Sequence, residues 1–428
     1  MENLLRFISE HSGDDTSRLI FDKAKYPDID MECAVNSIES RRKLKGKVQV
    51  WYDEPRLIFP LKLSAEQCSS SATGLYKSEL AERIVSGTLD QDTSDKDSTN
   101  SKWSIADLTG GLGVDSWFFS KKAETVFYNE MKSALCEAAK HNFKVLEADN
   151  IIISNHLVES GKCFDFITHD TQVDIVYADP ARRSESGKKV FLIEECMPDI
   201  LTLKDEIFSR CRHILIKLSP MADISMVCKR LGSSCREVHI VSTVGECKEL
   251  LIWMDRDWND EYSIIAVELH NDLPITTFSF TTSEEKAAGC PLVSEFKAPE
   301  KETSYLFEPG KSLMKAGAFN LIAERFKIQK LGKSTHYYLT ESKEKAETLK
   351  QYGKVFSILE SMSLDKRSIK DVGAKYPKAD VTARNIPMDT ETLRKKLKVS
   401  SGEKTHIFGL KSDTCGNVLL VTTKECVL

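Results

Sequence analysis

WSIADLTGGLGVD, residues 103–115, decides how this chain is read. A short apolar run ends on Asp107 and passes through a turn holding Gly110, Gly111 and Gly113. A helix is expected to start near Val114. Glycines let a backbone approach a ligand closely, and the helix N-terminus behind them offers free N–H groups. A second acid, Glu130, closes the next apolar run, TVFYNE. A third element, Asp179-Pro180-Ala181-Arg182, follows the run VDIVYA at 173–178.

Outward from that stretch the pattern alternates. Strands are expected at 103–107, 125–129, 150–153, 173–178 and 212–218, with helices at 114–122, 131–143 and 191–210. Such alternation calls for an α/β fold with a mostly parallel sheet covered on both faces. The segments EVHIVST (237–243) and KELLIWM (248–254) flank only four residues, which predicts a hairpin pairing antiparallel at the sheet edge. Residues 1–85 read as helical, with Met31, Ala34, Val35 and Ile38 at helical spacing behind Asp30 as N-cap. Residues 86–102, with Leu89 as their one apolar residue, read as a flexible linker. Beyond 256 two strands are expected in 262–282 and one amphipathic helix over 311–326. The last unit should hold strands at 354–360, 379–383, 405–410 and 417–423, and helices at 366–374 and 390–397.

The chain has 428 residues, 41 % hydrophobic and 29 % charged, with net charge −5, the composition of a globular protein of two or three domains. No apolar run reaches membrane-spanning length, and the first residues have no h-region, so neither a membrane segment nor a secretory leader is expected. The twelve cysteines form no C-x-x-C pair, which argues against a metal site or a disulfide framework and fits a cytoplasmic setting. Charge is uneven. Residues 364–411 hold 12 Lys and Arg against 6 Asp and Glu. The basic run Arg41, Arg42, Lys43, Lys45, Lys47 reads as a solvated helix end.

The glycine turn alone fits NAD sites as well as sites for S-adenosylmethionine. Three details favour the second. Asp107 precedes the glycines, where it can accept from a methionyl ammonium; Ser116 stands where a third NAD glycine would fall; and no pyrophosphate needs holding. Glu130 can accept the ribose hydroxyls, and Asn155 can meet the adenine amino group through its amide oxygen. At the end of the fourth strand Asp179 can hydrogen-bond or deprotonate a nucleophile, on a backbone fixed by Pro180. Arg182 and Arg183 would suit a phosphate-bearing substrate. Lys217, at the end of the fifth strand, needs a partner and reads first as a structural ion pair, second as catalytic. Glu246, Lys248 and Glu249 read as solvated turn charges.

These residues resemble a bacterial family of class I methyltransferases with a C-terminal THUMP-like domain. The likeness lies in YPDID (26–30), LSAEQCSS (63–70), DLTGGLGVD (107–115), DPARR (179–183), KLSPM (217–221), YLFEP (305–309), KAGAF (315–319), ARNIP (383–387) and LRKKL (393–397). It implies a helical N-terminal region (1–85), a Rossmann-like seven-stranded methyltransferase domain (103–258), a ferredoxin-like α+β domain (259–330) and a basic THUMP-like α+β domain (331–428). It also makes Ser69, Thr73 and Lys77 candidates for a cofactor lid, and suggests RNA, a tRNA or rRNA, as partner.

The expectation is therefore an S-adenosylmethionine-dependent methyltransferase acting on structured RNA, with no metal. Asp107, Thr109, Gly110, Gly111, Gly113, Asp115, Glu130, Asn155, Pro180, Thr73 and Lys77 would serve the cofactor, and Asp179, Arg182 and Lys217 the reaction. A small-molecule or protein methyltransferase, and an RNA-binding scaffold with an inactive pocket, remain open at this point.

Overall fold

The computed structural model describes residues 1–87, 102–168, 171–182, 192–243, 245–270, 274–294, 304–402 and 404–424. Residues 88–101 of the expected linker, Arg183, and the side chain of Arg182 lie outside the described residues. Contacts divide the chain into two compact units: Met1–Val238 with Glu249–Glu261, and His239–Lys248 with Tyr262–Leu428.

The first unit opens with six helices: α1 (Glu2–Glu10), α2 (Thr16–Phe21), α3 (Met31–Leu44), α4 (Gln49–Asp53), α5 (Lys62–Gln67) and α6 (Ser71–Ser86). Asp30 caps α3 by accepting from the Cys33 N–H at 3.0 Å, and Met31, Ala34, Val35 and Ile38 are buried, as their spacing predicts. The basic run is less solvated than expected. Arg41 donates to the carbonyls of Tyr52, Glu54, Pro55 and Leu57, and Lys47 to those of Ala65 and Glu66. Arg41 thus satisfies carbonyls at the end of α4 and in the loop after it, and Lys47 those in the last turn of α5.

Seven strands follow: β1 (Ser104–Asp107), β2 (Thr125–Asn129), β3 (Ile151–Ser154), β4 (Ile175–Ala178), β5 (His213–Leu218), β6 (Cys235–Thr243) and β7 (Glu246–Asp255). Between them lie α7 (Val114–Ser120), α8 (Ser133–Val145), α9 (Ile200–Arg210) and α10 (Ile224–Leu231). Their order is β3-β2-β1-β4-β5-β7-β6; the first five are parallel, β7 runs antiparallel beside β5, and the sheet goes on past β6 through Ser263–Leu269 and Thr276–Thr281, nine strands where seven were expected. The expected hairpin is present, but β7 is inserted between β5 and β6 and is no edge. All four β4 residues are buried, as a strand covered on both faces requires. The helix expected at 191–210 begins only at Ile200, where Asp199 accepts from the N–H groups of Leu201 and Thr202.

The N-terminal helices share a core with the sheet. Leu44, Trp51, Leu57 and Phe59 pack with Trp117, Tyr128 and Phe143. Asn142 on α8 gives both amide atoms to the backbone of Ile58, at 2.8 and 2.9 Å. Helix α6 approaches α7 so closely at Gly74 that a Cβ there would lie 2.3 Å from the Phe118 ring.

The second unit holds β8 (Ser263–Leu269), β9 (Thr276–Thr281), α11 (Thr282–Ala287), β10 (Tyr305–Pro309), α12 (Lys311–Ala316), α13 (Phe319–Phe326), β11 (Gln329–Lys330), β12 (Tyr338–Thr340), α14 (Lys343–Leu349), β13 (Gly353–Ser363), α15 (Lys366–Lys375), β14 (Asp380–Arg384), α16 (Thr390–Leu397), β15 (Thr405–Ser412) and β16 (Gly416–Lys424). The helix expected over 311–326 is two, because Gly317 takes a left-handed conformation (φ 84°) that ends α12. A sheet in the order β11-β12-β10-β13-β16-β15-β14 carries α15 and α16 on one face. Ile369, Val372, Leu393 and Leu397 pack there on Val381, Ile407, Leu419 and Val421.

Candidate active site

Strand order turns outward on both sides of β1, whose neighbours are β2 and β4. Open α/β sheets bind ligands in the crevice at such a point, outside the carboxyl ends of the strands. The sequence places Asp107, Glu130 and Asp179 at the ends of β1, β2 and β4.

Asp107 is 1 % exposed. Its Oδ1 accepts from the Thr109 N–H at 3.0 Å, and its Oδ2 from the Ser116 hydroxyl at 2.6 Å. The carboxylate thus braces the turn from beneath. Burial pushes its pKa up to about 7, against the hydrogen bonds from Ser116 and Thr109. Thr109 carries the brace onward, since its Oγ1 accepts from the Asp179 N–H at 2.7 Å.

The three glycines answer different needs. A Cβ on Gly110 would stand 2.1 Å from the Tyr128 ring, and one on Gly113 (φ 91°) 2.6 Å from Phe143. Both are demanded by packing. Gly111 (φ 55°) has nothing nearer its Cβ position than the Thr109 carbonyl at 3.6 Å, so its outer side is open. Glu130 accepts from the Gly111 N–H at 3.0 Å and, through its other oxygen, from the Lys132 N–H at 2.9 Å. Each carboxylate oxygen keeps further acceptor capacity. Asn155 is exposed and donates to the Glu130 carbonyl at 2.6 Å. Open glycine, strand-end carboxylate and nearby amide thus lie together beside the ends of β1 and β2.

Asp179, its side chain 37 % exposed, meets Lys217 Nζ at 2.5 Å, and Pro180 beside it is buried. Burial pulls the Lys217 ammonium down, but Asp179, Glu249 and Asp115 outweigh it and hold the group above its ordinary value. Lys217 thus stands as the ion-pair partner of Asp179, the role expected first for it.

Behind the turn lies a second polar group. Lys77 on α6 is fully buried; its ammonium donates to Ser69 Oγ at 2.9 Å and Glu249 Oε1 at 2.7 Å, and lies 3.3 Å from Asp115 Oδ1. Asp115 Oδ2 accepts from the hydroxyls of Ser69 at 2.9 Å and Tyr177 at 2.8 Å, whereas its Oδ1 is buried without a hydrogen-bond donor. Burial raises the Asp115 carboxyl, yet Lys77 and Lys217 prevail and leave it below the ordinary value. Thr73 is spent locally, in a capping box with Ser70 at the start of α6. Glu249 was expected in solvent and is 3 % exposed, on a strand whose next six residues are all buried. That apolar continuation, LLIWM, is the signal that could have placed it inside. A cavity of about 360 Å³ lined by Asp174, Arg212, His213 and Arg256 opens at the amino ends of β4 and β5, away from all these groups. Among the described residues no helix is long and apolar enough to cross a membrane, and no group of three potential ligands could hold a metal ion.

Strand order and the glycine turn after β1 define the class I methyltransferase fold. The chain carries C-terminal matches to two family models, a ferredoxin-like domain at residues 305–346 and a THUMP domain-like region at residues 353–424. The first was expected at 259–330. A crystal structure of a candidate methyltransferase from Porphyromonas gingivalis is similar along nearly the whole chain, with 26 % identity, 99 % of this chain and 98 % of that one covered, and a TM-score of 0.81. Partial likenesses include a human methyltransferase 10 domain containing protein (12 % identity, 44 % of this chain and 85 % of that one, TM-score 0.31). A T. thermophilus 16S rRNA methyltransferase, solved with AdoMet and guanosine, is another (14 % identity, 45 % and 44 %, TM-score 0.30). No curated protein matches the chain.

Proposed function

We propose that the protein is an S-adenosylmethionine-dependent methyltransferase whose acceptor is structured RNA. The observation that carries this reading is the junction of the glycine turn with the Asp179–Lys217 pair, made by Thr109 at 2.7 and Asp179 at 2.5 Å from their partners. It ties the glycine turn to the backbone of the residue that bears a reachable carboxylate.

Gly111 and Glu130 would hold the ribose side of the cofactor, Asn155 the adenine edge, and Asp115 the methionyl end from behind the turn. Asp107, 1 % exposed beneath the turn, acts by fixing it. When bound, the cofactor supplies a methyl group on a positively charged sulfur. The chain's own contribution is alignment and charge placement. Asp179 accepts a hydrogen bond or the proton from the acceptor, and Lys217 fixes the direction in which it points. RNA is favoured because Lys366, Lys370, Lys395 and Lys396 stand exposed on α15 and α16, with Lys398 exposed just past α16, where they can neutralise backbone phosphates.

The test incubates the protein with isotope-labelled cofactor and RNA from cells lacking it, then maps the label. Label on a protein or a metabolite instead would overturn the RNA acceptor. Failure to bind the cofactor by calorimetry would overturn the enzyme.

A further inference from the structure

Lys77 and Glu249 stand 172 positions apart and meet with side chains 0 % and 4 % exposed. A buried ion pair adds little stability that apolar residues of equal volume would not supply. Anchoring α6 to β7 therefore leaves the charges themselves unexplained. Their surroundings explain them. Lys77 also lies against Asp115, and Lys217 feels Glu249 and Asp115 besides its partner Asp179. Three carboxylates thus share two ammonium groups, with Lys77 and Glu249 closed to water, Asp115 and Lys217 nearly so, and Asp179 reachable. One negative charge is left over. Glu130, hydrogen-bonded to N–H groups of the turn and of Lys132, adds to the same sign.

S-adenosylmethionine carries one carboxylate, one ammonium and one sulfonium, a net charge of +1. Its product, the thioether, carries none. Loss of the methyl group removes the charge that the excess carboxylate balances, and inside a low-dielectric site such a difference is weakly screened.

We propose that the buried Lys77–Glu249 pair sets the charge of the cofactor site, so that it holds the sulfonium nucleoside in preference to the neutral thioether, with Glu249 determining this specificity. The inference rests on the methyltransferase reading above. It makes the N-terminal helix α6 a positioning part of the site, through a residue that need not touch the ligand.

The experiment measures, by calorimetry on the full chain, dissociation constants for S-adenosylmethionine and S-adenosylhomocysteine in four proteins. Glu249→Gln removes one negative charge and should lower the preference for the sulfonium about tenfold. Lys77→Met removes one positive charge and should raise it. The double variant restores the original charge and should return the preference to within about threefold of the parent. A merely structural pair would weaken both ligands alike and give no such order. Should Lys77→Met fail to fold, Asp115→Asn replaces it and must lower the preference as Glu249→Gln does. An unchanged ratio in Glu249→Gln, or a double variant that follows it, overturns the proposal. If the parent protein binds neither nucleoside, the methyltransferase reading fails instead.

Discussion

At the carboxyl ends of β1, β4 and β5 the ionisable groups are enclosed and matched to partners, with Asp107 at 1 % and Lys77 at 0 % exposure. Along α15 and α16 the lysines face solvent, and Lys366, Lys370, Lys395 and Lys396 are all exposed. The first arrangement fixes atoms; the second offers a diffuse positive field. Enclosed charge is costly and is kept only with partners, whereas exposed charge costs little and is screened by salt. Each region should therefore fail in its own way when altered.

The largest effect is expected at Asp179, where the two uses of charge meet in a paired but reachable carboxylate. Asp179→Asn should lower the methyl-transfer rate about 10²- to 10³-fold while leaving cofactor affinity within a few-fold. Single-turnover transfer and calorimetry on the same preparation check this. Loss of cofactor affinity with no separate loss of rate would place Asp179 in binding alone.

Next come the glycines, which separate packing from ligand approach. Gly110→Ala drives a methyl into the Tyr128 ring and should destabilise the fold by roughly 1–3 kcal/mol. Gly111→Ala meets open space at φ 55° and should cost about 1 kcal/mol in stability, but fill that space and weaken nucleoside binding. Denaturant midpoints and calorimetry together read the two outcomes. Equal losses of binding at equal stability would remove the distinction.

On the exposed side, replacing Lys366, Lys370, Lys395 and Lys396 together by Gln should leave the melting temperature unchanged. It should reduce the salt dependence of RNA binding by a slope of about 3, roughly one released counterion per lysine. A slope equal to the parent's would move the RNA contact elsewhere.

Where local rules act, the sequence was readable. The span of β2, Thr125–Asn129, and that of α16, Thr390–Leu397, follow from apolar periodicity. Asp107, Glu130 and Asp179 followed from their places at strand ends. What was not readable depends on distant partners. The insertion of β7 between β5 and β6 is decided by which neighbour buries LLIWM, not by the hairpin's own turn. The break at Gly317 interrupts a pattern whose apolar spacing continues, with Leu313, Ala316 and Leu321 all buried. Glu249 looked like a turn charge because its partner Lys77 lies 172 residues earlier. That Gly110 and Gly113 also make room for an aromatic ring on β2 or α8 was not readable either.

The sharpest test of enclosure concerns Asp107. Its folded carboxyl titrates near 7, above the ordinary value of 3.8, because burial disfavours the charged form. The folded state therefore binds this proton more tightly than the unfolded chain does. Its contribution to stability is complete below about pH 4 and is lost as pH rises through 7. Asp107→Asn keeps the shape and removes the titration, so the difference in melting temperature between variant and parent should grow in the variant's favour from pH 5 to pH 8. His213, whose pKa burial lowers to about 4, works in the opposite direction, but it is common to both proteins and cancels in the difference. Thermal melts of both at the two pH values decide it. A difference independent of pH would mean that water or a cation reaches Asp107, and the acid of β1 would then belong with reachable Asp179 and not with enclosed Lys77.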